Sequence, residues 1–142
     1  MTSIDEMYAR DLASQSLDII LDEVLPGRAS VHMSVTANMV NGHGIAHGGY
    51  VFLLADTAFA YACNSYGPVT LAQSAQVTFL RPVRANDRLA AQAVERTRHG
   101  RHGVYDVTVR RTGSGGGDVV VAEFRGHSVV LGNGSLSTVE DT

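Results

Sequence analysis

The run at residues 50–65, YVFLLADTAFAYACNS, decides most of what this chain can become. Its alanines, leucines and phenylalanines do not alternate, and it is long for a strand, so it reads as a helix. A helix at a protein surface carries one apolar stripe, whereas a helix that is apolar on nearly every side has to be enclosed. The rest of the chain must supply the wrapper.

Strands supply it. Residues 28–36 alternate, with Val31, Met33 and Val35 on one face and Ser30, His32 and Ser34 on the other. Pro26 and Gly27 turn this strand back on a preceding one at residues 17–25. Beyond Pro68, residues 69–80, 88–97, 104–110 and 119–131 read as strands, with the turn-like AND at residues 85–87 and the flexible GSGGG at residues 113–117 among their connections. Residues 5–16 read as one short helix that Ser3 can cap, and the glycine-rich NGHGIAHGG at residues 41–49 as a loop. Short hairpin-like links imply an antiparallel sheet. The fold class is therefore α+β, an antiparallel sheet wrapped around a long central helix, with a short N-terminal helix. No repeat or linker divides the chain, so residues 1–131 are expected to form one domain and residues 132–142 a flexible tail.

The totals exclude whole classes of function. Net charge is −3 and all eleven basic residues are arginine, short of the strongly basic face that nucleic-acid binding requires. No stretch approaches the ~20 uninterrupted apolar residues of a membrane span. The start, MTSIDEMYARDLA, lacks a basic region followed by an apolar one, so no secretory leader is expected. A single cysteine, Cys63, can form no intrachain disulfide and suits a reducing, cytoplasmic setting.

Inside the apolar helix stands one acid, Asp56. Its neighbours at helical spacing are Phe52, Leu53, Phe59 and Ala60, so no solvent-facing stripe is available to it. Left charged and unpaired inside a core it would cost several kcal/mol. Either it accepts hydrogen bonds from a tyrosine, a threonine or a loop amide, or it lines a cleft where partial desolvation raises its pKa and strengthens it as a base.

The loop before the helix favours the cleft. Gly48 and Gly49 sit where the helix begins, at the positive end of its dipole, and without Cβ atoms their amides can be approached closely. Such amides suit a carbonyl oxygen that gains negative charge during a reaction. Gly48 and Asp56 are nevertheless eight residues apart, about 12 Å along one helix. A base works within roughly 3 Å of its partner, so one helix cannot bring both to one bond. If they act together, Asp56 comes from a second copy, and a two-fold dimer with two shared sites follows.

The stretch NGHGIAHGGYVFLLADTAFAYACNS resembles the signature of hotdog-fold acyl-CoA thioesterases of the phenylacetate-degradation (PaaI) type. FLRP at residues 79–82, GVYDV at 103–107 and FRG at 124–126 are similar to that family too, and the resemblance covers residues 4–131. It implies a hotdog fold, dimers that pair into a homotetramer, and hydrolysis of phenylacetyl-CoA and its ring-hydroxylated relatives without a cofactor. It also implies Asp56 as the catalytic carboxylate, acting as general base or as nucleophile, Gly48 as the amide that polarises the thioester carbonyl, and Asn41 as the group that positions the water or the carbonyl.

Further candidates follow from position. His47 is a possible proton carrier, or a ring that fixes the loop or the substrate carbonyl. His43, His47 and Asp56 define no metal geometry, and no metal is expected. Arg98 and Arg101 in RTRHGRH, with Arg81 as a further candidate, could meet the phosphates of CoA. Gly49, Thr57 and Ser65 are candidate substrate contacts. Two rival readings are a hotdog hydratase or dehydratase, whose aspartate–histidine arrangement is not placed this way here, and a non-catalytic acyl-CoA-binding module, which would gain nothing from a carboxylate in an apolar pocket.

Overall fold

The computed structural model describes residues 3–113 and 117–132. Two short helices, α1 (Ile4–Arg10) and α2 (Leu12–Ser16), lead into strands β1 (Ile20–Leu25) and β2 (Arg28–Ser34). The central helix α3 (Gly48–Cys63) is followed by β3 (Thr70–Phe79), β4 (Arg88–His99), β5 (His102–Thr112) and β6 (Val119–Val130). The six strands form one antiparallel sheet in the order β1-β2-β4-β5-β6-β3, and α3 touches every one of them. The sheet is the expected wrapper on all but one side: a stripe of α3 at helical spacing, Phe52, Leu53, Asp56 and Ala60, stays half-buried, so Asp56 has the partly open face that the sequence did not offer it.

The core lies between α3 and the sheet. Leu54, Ala55, Ala58, Phe59, Tyr61 and Ala62 of α3 are fully enclosed. Opposite them, β4 alternates Leu89, Ala91 and Ala93 inward, and β5 alternates Tyr105, Val107 and Val109. Gly126 on β6 lets the helix sit close: a Cβ there would stand 2.7 Å from the Phe59 ring.

Several element boundaries differ from expectation. The single N-terminal helix is broken at Asp11, whose backbone leaves the helical region (φ −83°, ψ 75°). Its carboxylate instead caps α2 by accepting from the Ser14 N–H at 3.1 Å. The first strand starts at Ile20 rather than residue 17, because Asp18 takes a left-handed turn conformation (φ 55°). The central helix starts two residues early, at Gly48, since His47 caps it. It ends at Cys63, where the Asn64 side-chain amide donates to the Ala60 carbonyl at 2.8 Å and to the Thr70 carbonyl at 2.9 Å. The middle of the GSGGG link, residues 114–116, and the expected tail from residue 133 lie outside the described residues.

Candidate active site

Asn41 builds the loop that feeds α3. Its side-chain oxygen accepts from the His43 N–H (2.8 Å) and the Ile45 N–H (3.3 Å), while its own N–H donates to the Ile45 carbonyl at 2.7 Å. Its side-chain Nδ2 donors find no partner among the described residues. The loop's exit is tied down where the Ala46 N–H donates to Val83 and the His47 N–H to Met39, at 2.6 and 2.7 Å.

His47 then caps the helix from an extended backbone (φ −60°, ψ 131°), its Nδ1 accepting the Gly49 N–H at 3.1 Å. The Gly49 amide is thereby used within the chain. An accepting Nδ1 also puts the neutral ring's proton on Nε2. The Gly48 N–H has no acceptor among the described residues and stands at the positive end of the dipole. The Phe79 ring lies beside it, so that a Cβ on Gly48 would be 2.9 Å from Cζ. Asn41, Gly48, Val51, Phe79 and Arg81 line a cleft of about 500 Å³.

Asp56 opens on a different cleft, of about 410 Å³, whose walls include Phe59, Cys63 and Asn64 of α3 together with Met7 and Arg10 of α1. The carboxylate is half-buried, and burial raises its pKa above the ordinary 3.8. Among the described residues it accepts no hydrogen bond and meets no cation. The hydroxyls that could have satisfied it point elsewhere: Tyr61 donates to Asp11 at 3.0 Å and Thr57 to the Leu53 carbonyl at 2.8 Å. Cys63 shares the cleft, but burial pushes its thiol up to about 12, so it stays protonated and unreactive.

The remaining candidates are spread out. Thr57 is buried, with its hydroxyl 3.3 Å from that of Ser14, and lines neither cleft. Ser65 accepts from the Gly27 N–H at 2.8 Å and donates to the Ala62 carbonyl at 2.7 Å, a clasp between helix end and hairpin. Arg81 reaches back to the Val120 carbonyl at the edge of the Gly48 cleft. Arg98 pairs with Glu95 at 3.1 Å and lies 3.5 Å over the Tyr66 ring, while Arg101 donates from Nε to the Val130 carbonyl at 2.9 Å. His43 is exposed on the loop, and among the described residues no three His, Cys, Asp or Glu side chains converge to hold a metal. Among the same residues no helix is long and apolar enough to cross a membrane. Met7, Arg10 and Phe79 are cleft residues that the sequence reading passed over. Met7 carried only an ordinary apolar signal, Phe79 only its place in FLRP, and Arg10 none.

Comparison with known proteins is consistent across sequence and structure. The thioesterase superfamily profile matches residues 43–124. Acyl-coenzyme A thioesterase PaaI of Escherichia coli K12 is 44% identical over 126 residues, covering 89% of this chain and 87% of that protein. The structure of the E. coli PaaI protein from the phenylacetic acid degradation operon superposes with a TM-score of 0.83 over 89% of this chain and 88% of that one. The TT0310 protein of Thermus thermophilus, 38% identical, superposes with a TM-score of 0.79 over 86% of this chain and 99% of that one.

Proposed function

The chain belongs to the thioesterase superfamily, as an acyl-CoA thioesterase of the PaaI type with the hotdog fold, and from that premise we propose that it hydrolyses phenylacetyl-CoA-type thioesters, ring-hydroxylated ones included, at a site shared between two protomers. One observation carries the reading. The Gly48 amide and the Asp56 carboxylate, each without a partner among the described residues, open into separate clefts of one chain, about 12 Å apart along one helix.

A second copy reconciles them. Among the described residues β3 is an edge strand with unpaired backbone groups along one side, and Phe79 and Leu80 at its end are each 52% exposed, which invites another strand. With two α3 helices antiparallel across a two-fold axis, each Gly48 amide faces the partner's Asp56. Such dimers pair further into a homotetramer.

At this site the thioester carbonyl accepts a hydrogen bond from the Gly48 N–H. The partner's Asp56 takes a proton from water as the water oxygen attacks the carbonyl carbon. The resulting oxyanion is held by the Gly48 amide and the positive end of α3. Collapse breaks the C–S bond, and the proton returns to the thiolate, releasing free acid and CoA. Asn41, whose Nδ2 is unspent, orients the water or the carbonyl, and Arg81, Arg98 and Arg101 meet the CoA phosphates with their remaining N–H groups. Direct attack by Asp56 would instead put solvent oxygen-18 first into the enzyme's carboxylate during a single turnover.

Subunit mixing tests the shared site. Gly48 is the first residue of α3 and follows an extended His47, a position where proline fits and the N–H is lost. Asp56→Asn and Gly48→Pro homodimers are each expected to be nearly inactive. Mixed one to one, half the dimers are hybrids with one intact site of two, so roughly a quarter of wild-type thiol release returns. No recovery, with hybrids demonstrated, would refute sharing. Binding of acyl-CoA without thiol release by the wild type would mark a binding module, and loss of enoyl absorbance without free thiol a hydratase.

A further inference from the structure

The Asp56 cleft has a far end that the hydrolysis does not use. One wall is a stripe of α3 at helical spacing, Asp56, Phe59, Ala60, Cys63 and Asn64, which runs about 12 Å from the carboxylate toward the helix C-terminus. A second wall is Met7 and Arg10, one turn apart on α1, and a third is Val69 with the start of β3, Thr70 to Ala72. Among the described lining residues Arg10 is the one cation, and its guanidinium has no hydrogen-bond or ion-pair partner there.

The backbone at Arg10 is held in place, while its side chain is exposed. The next residue, Asp11, accepts from the Tyr61 hydroxyl at 3.0 Å and caps α2, and Tyr8 donates to the Ile19 carbonyl at 2.6 Å. α1 is therefore tied to α3 and to the start of the sheet on both sides of Arg10. Yet Arg10 does not neutralise Asp56: burial is what acts on that carboxyl, with no offset from a neighbouring cation.

We propose that Arg10 is the specificity residue of this cleft and selects acyl groups that carry an anionic oxygen, a carboxylate foremost, at the end remote from the thioester. The inference rests on the thioesterase reading. A guanidinium only donates, so it recognises acceptors and fits a carboxylate with two parallel hydrogen bonds. The apolar part of the lining, Phe59, Ala60, Val69 and Leu71, suits an aromatic or short alkyl spacer, and the exposed Arg10 side chain meets the anionic end that the spacer carries.

The test is kcat/KM for phenylacetyl-CoA, 4-hydroxyphenylacetyl-CoA and 4-carboxyphenylacetyl-CoA with wild type, Arg10→Met and Arg10→Lys. Wild type is expected to favour the carboxylated substrate over the unsubstituted one, with the hydroxylated one between. In Arg10→Met that ratio falls about 2–5-fold, the worth of a solvent-exposed charge pair, and Arg10→Lys restores part of it. An unchanged ratio in Arg10→Met, or a wild type that prefers the unsubstituted or hydroxylated substrate to the carboxylated one, overturns the role of Arg10 and leaves the thioesterase reading intact. No hydrolysis of any of the three by folded wild type overturns both.

Discussion

Replacing Asp56 with asparagine is expected to move activity and stability in opposite directions. The substitution keeps the shape of the side chain and removes its charge. Loss of a general base costs about 10²–10⁴ in rate, so kcat should fall by that factor with KM little changed. The stability effect follows from the environment: Asp56 is half-buried without a partner, and its folded pKa is raised above the ordinary 3.8 by burial. Folding therefore favours the protonated form, and the contribution of Asp56 is fully stabilising only below 3.8 and is lost as pH rises through the folded pKa. Wild type bears the cost of a buried charge at neutral pH, and the variant does not. The two effects are linked by one number. Each unit by which the acid limb of wild-type kcat/KM stands above the ordinary value corresponds to about 1.4 kcal/mol of pH-dependent stability gained by the variant. For a chain of this length that is roughly 4 °C in Tm per kcal/mol. The assays are thiol release against pH, and thermal unfolding of both proteins at equal protomer concentration across the same pH range. A variant with wild-type turnover, or one whose stability relative to wild type does not change between acid and neutral pH, would refute the reasoning.

Gly48→Pro should remove the carbonyl-binding amide and displace the Phe79 ring, so kcat is expected to drop about 10²–10³-fold, with far-ultraviolet circular dichroism unchanged and size-exclusion chromatography showing that the dimer is kept. His47→Ala removes the cap on the Gly49 N–H and should cost about 1 kcal/mol by urea denaturation, whereas His47→Asn should recover the stability, because asparagine is a good cap. Activity that returns with His47→Asn assigns the ring a capping role, and activity that stays low assigns it a proton. Gly126→Ala would force a Cβ to 2.7 Å from a Phe59 ring that is 1% exposed and packed on Tyr105 and Phe124, so a loss of about 1–3 kcal/mol is expected by calorimetry.

What could be read from the chain was whatever depended on local pattern. The enclosure of α3 on most sides followed from its lack of a polar stripe, though the side bearing Phe52, Leu53, Asp56 and Ala60 stays half-buried, and the alternation over residues 28–36 gave the correct inward set, Val31, Met33 and Val35. The break between α1 and α2 was not legible, because Asp11 leaves the helix to meet Tyr61, fifty residues away in the chain. The hydroxyls of Thr57 and Ser65 were legible in half: each donates to a carbonyl of α3, Leu53 and Ala62, as local spacing allows, while their second contacts, with Ser14 and the Gly27 N–H, come from residues distant in sequence. Gly48 and Gly49 are indistinguishable as letters, and only the geometry of the His47 ring spends one amide and leaves the other.

The same geometry separates chemistry from selection. Gly48 and Asp56 belong to one helix, and their spacing is set by backbone rise, which no side-chain change can adjust. Inserting or deleting one residue between them would turn Asp56 by about 100° away from its cleft, so this half of the site tolerates little variation. Met7 and Arg10 reach the cleft from a short helix held mainly by side chains, through Tyr8, Asp11 and Ser14. Their replacement changes what the far end of the cleft accepts without moving the amide or the carboxylate. Variation in acyl preference within this architecture should therefore concentrate on α1, where a side chain can change without disturbing the reacting atoms.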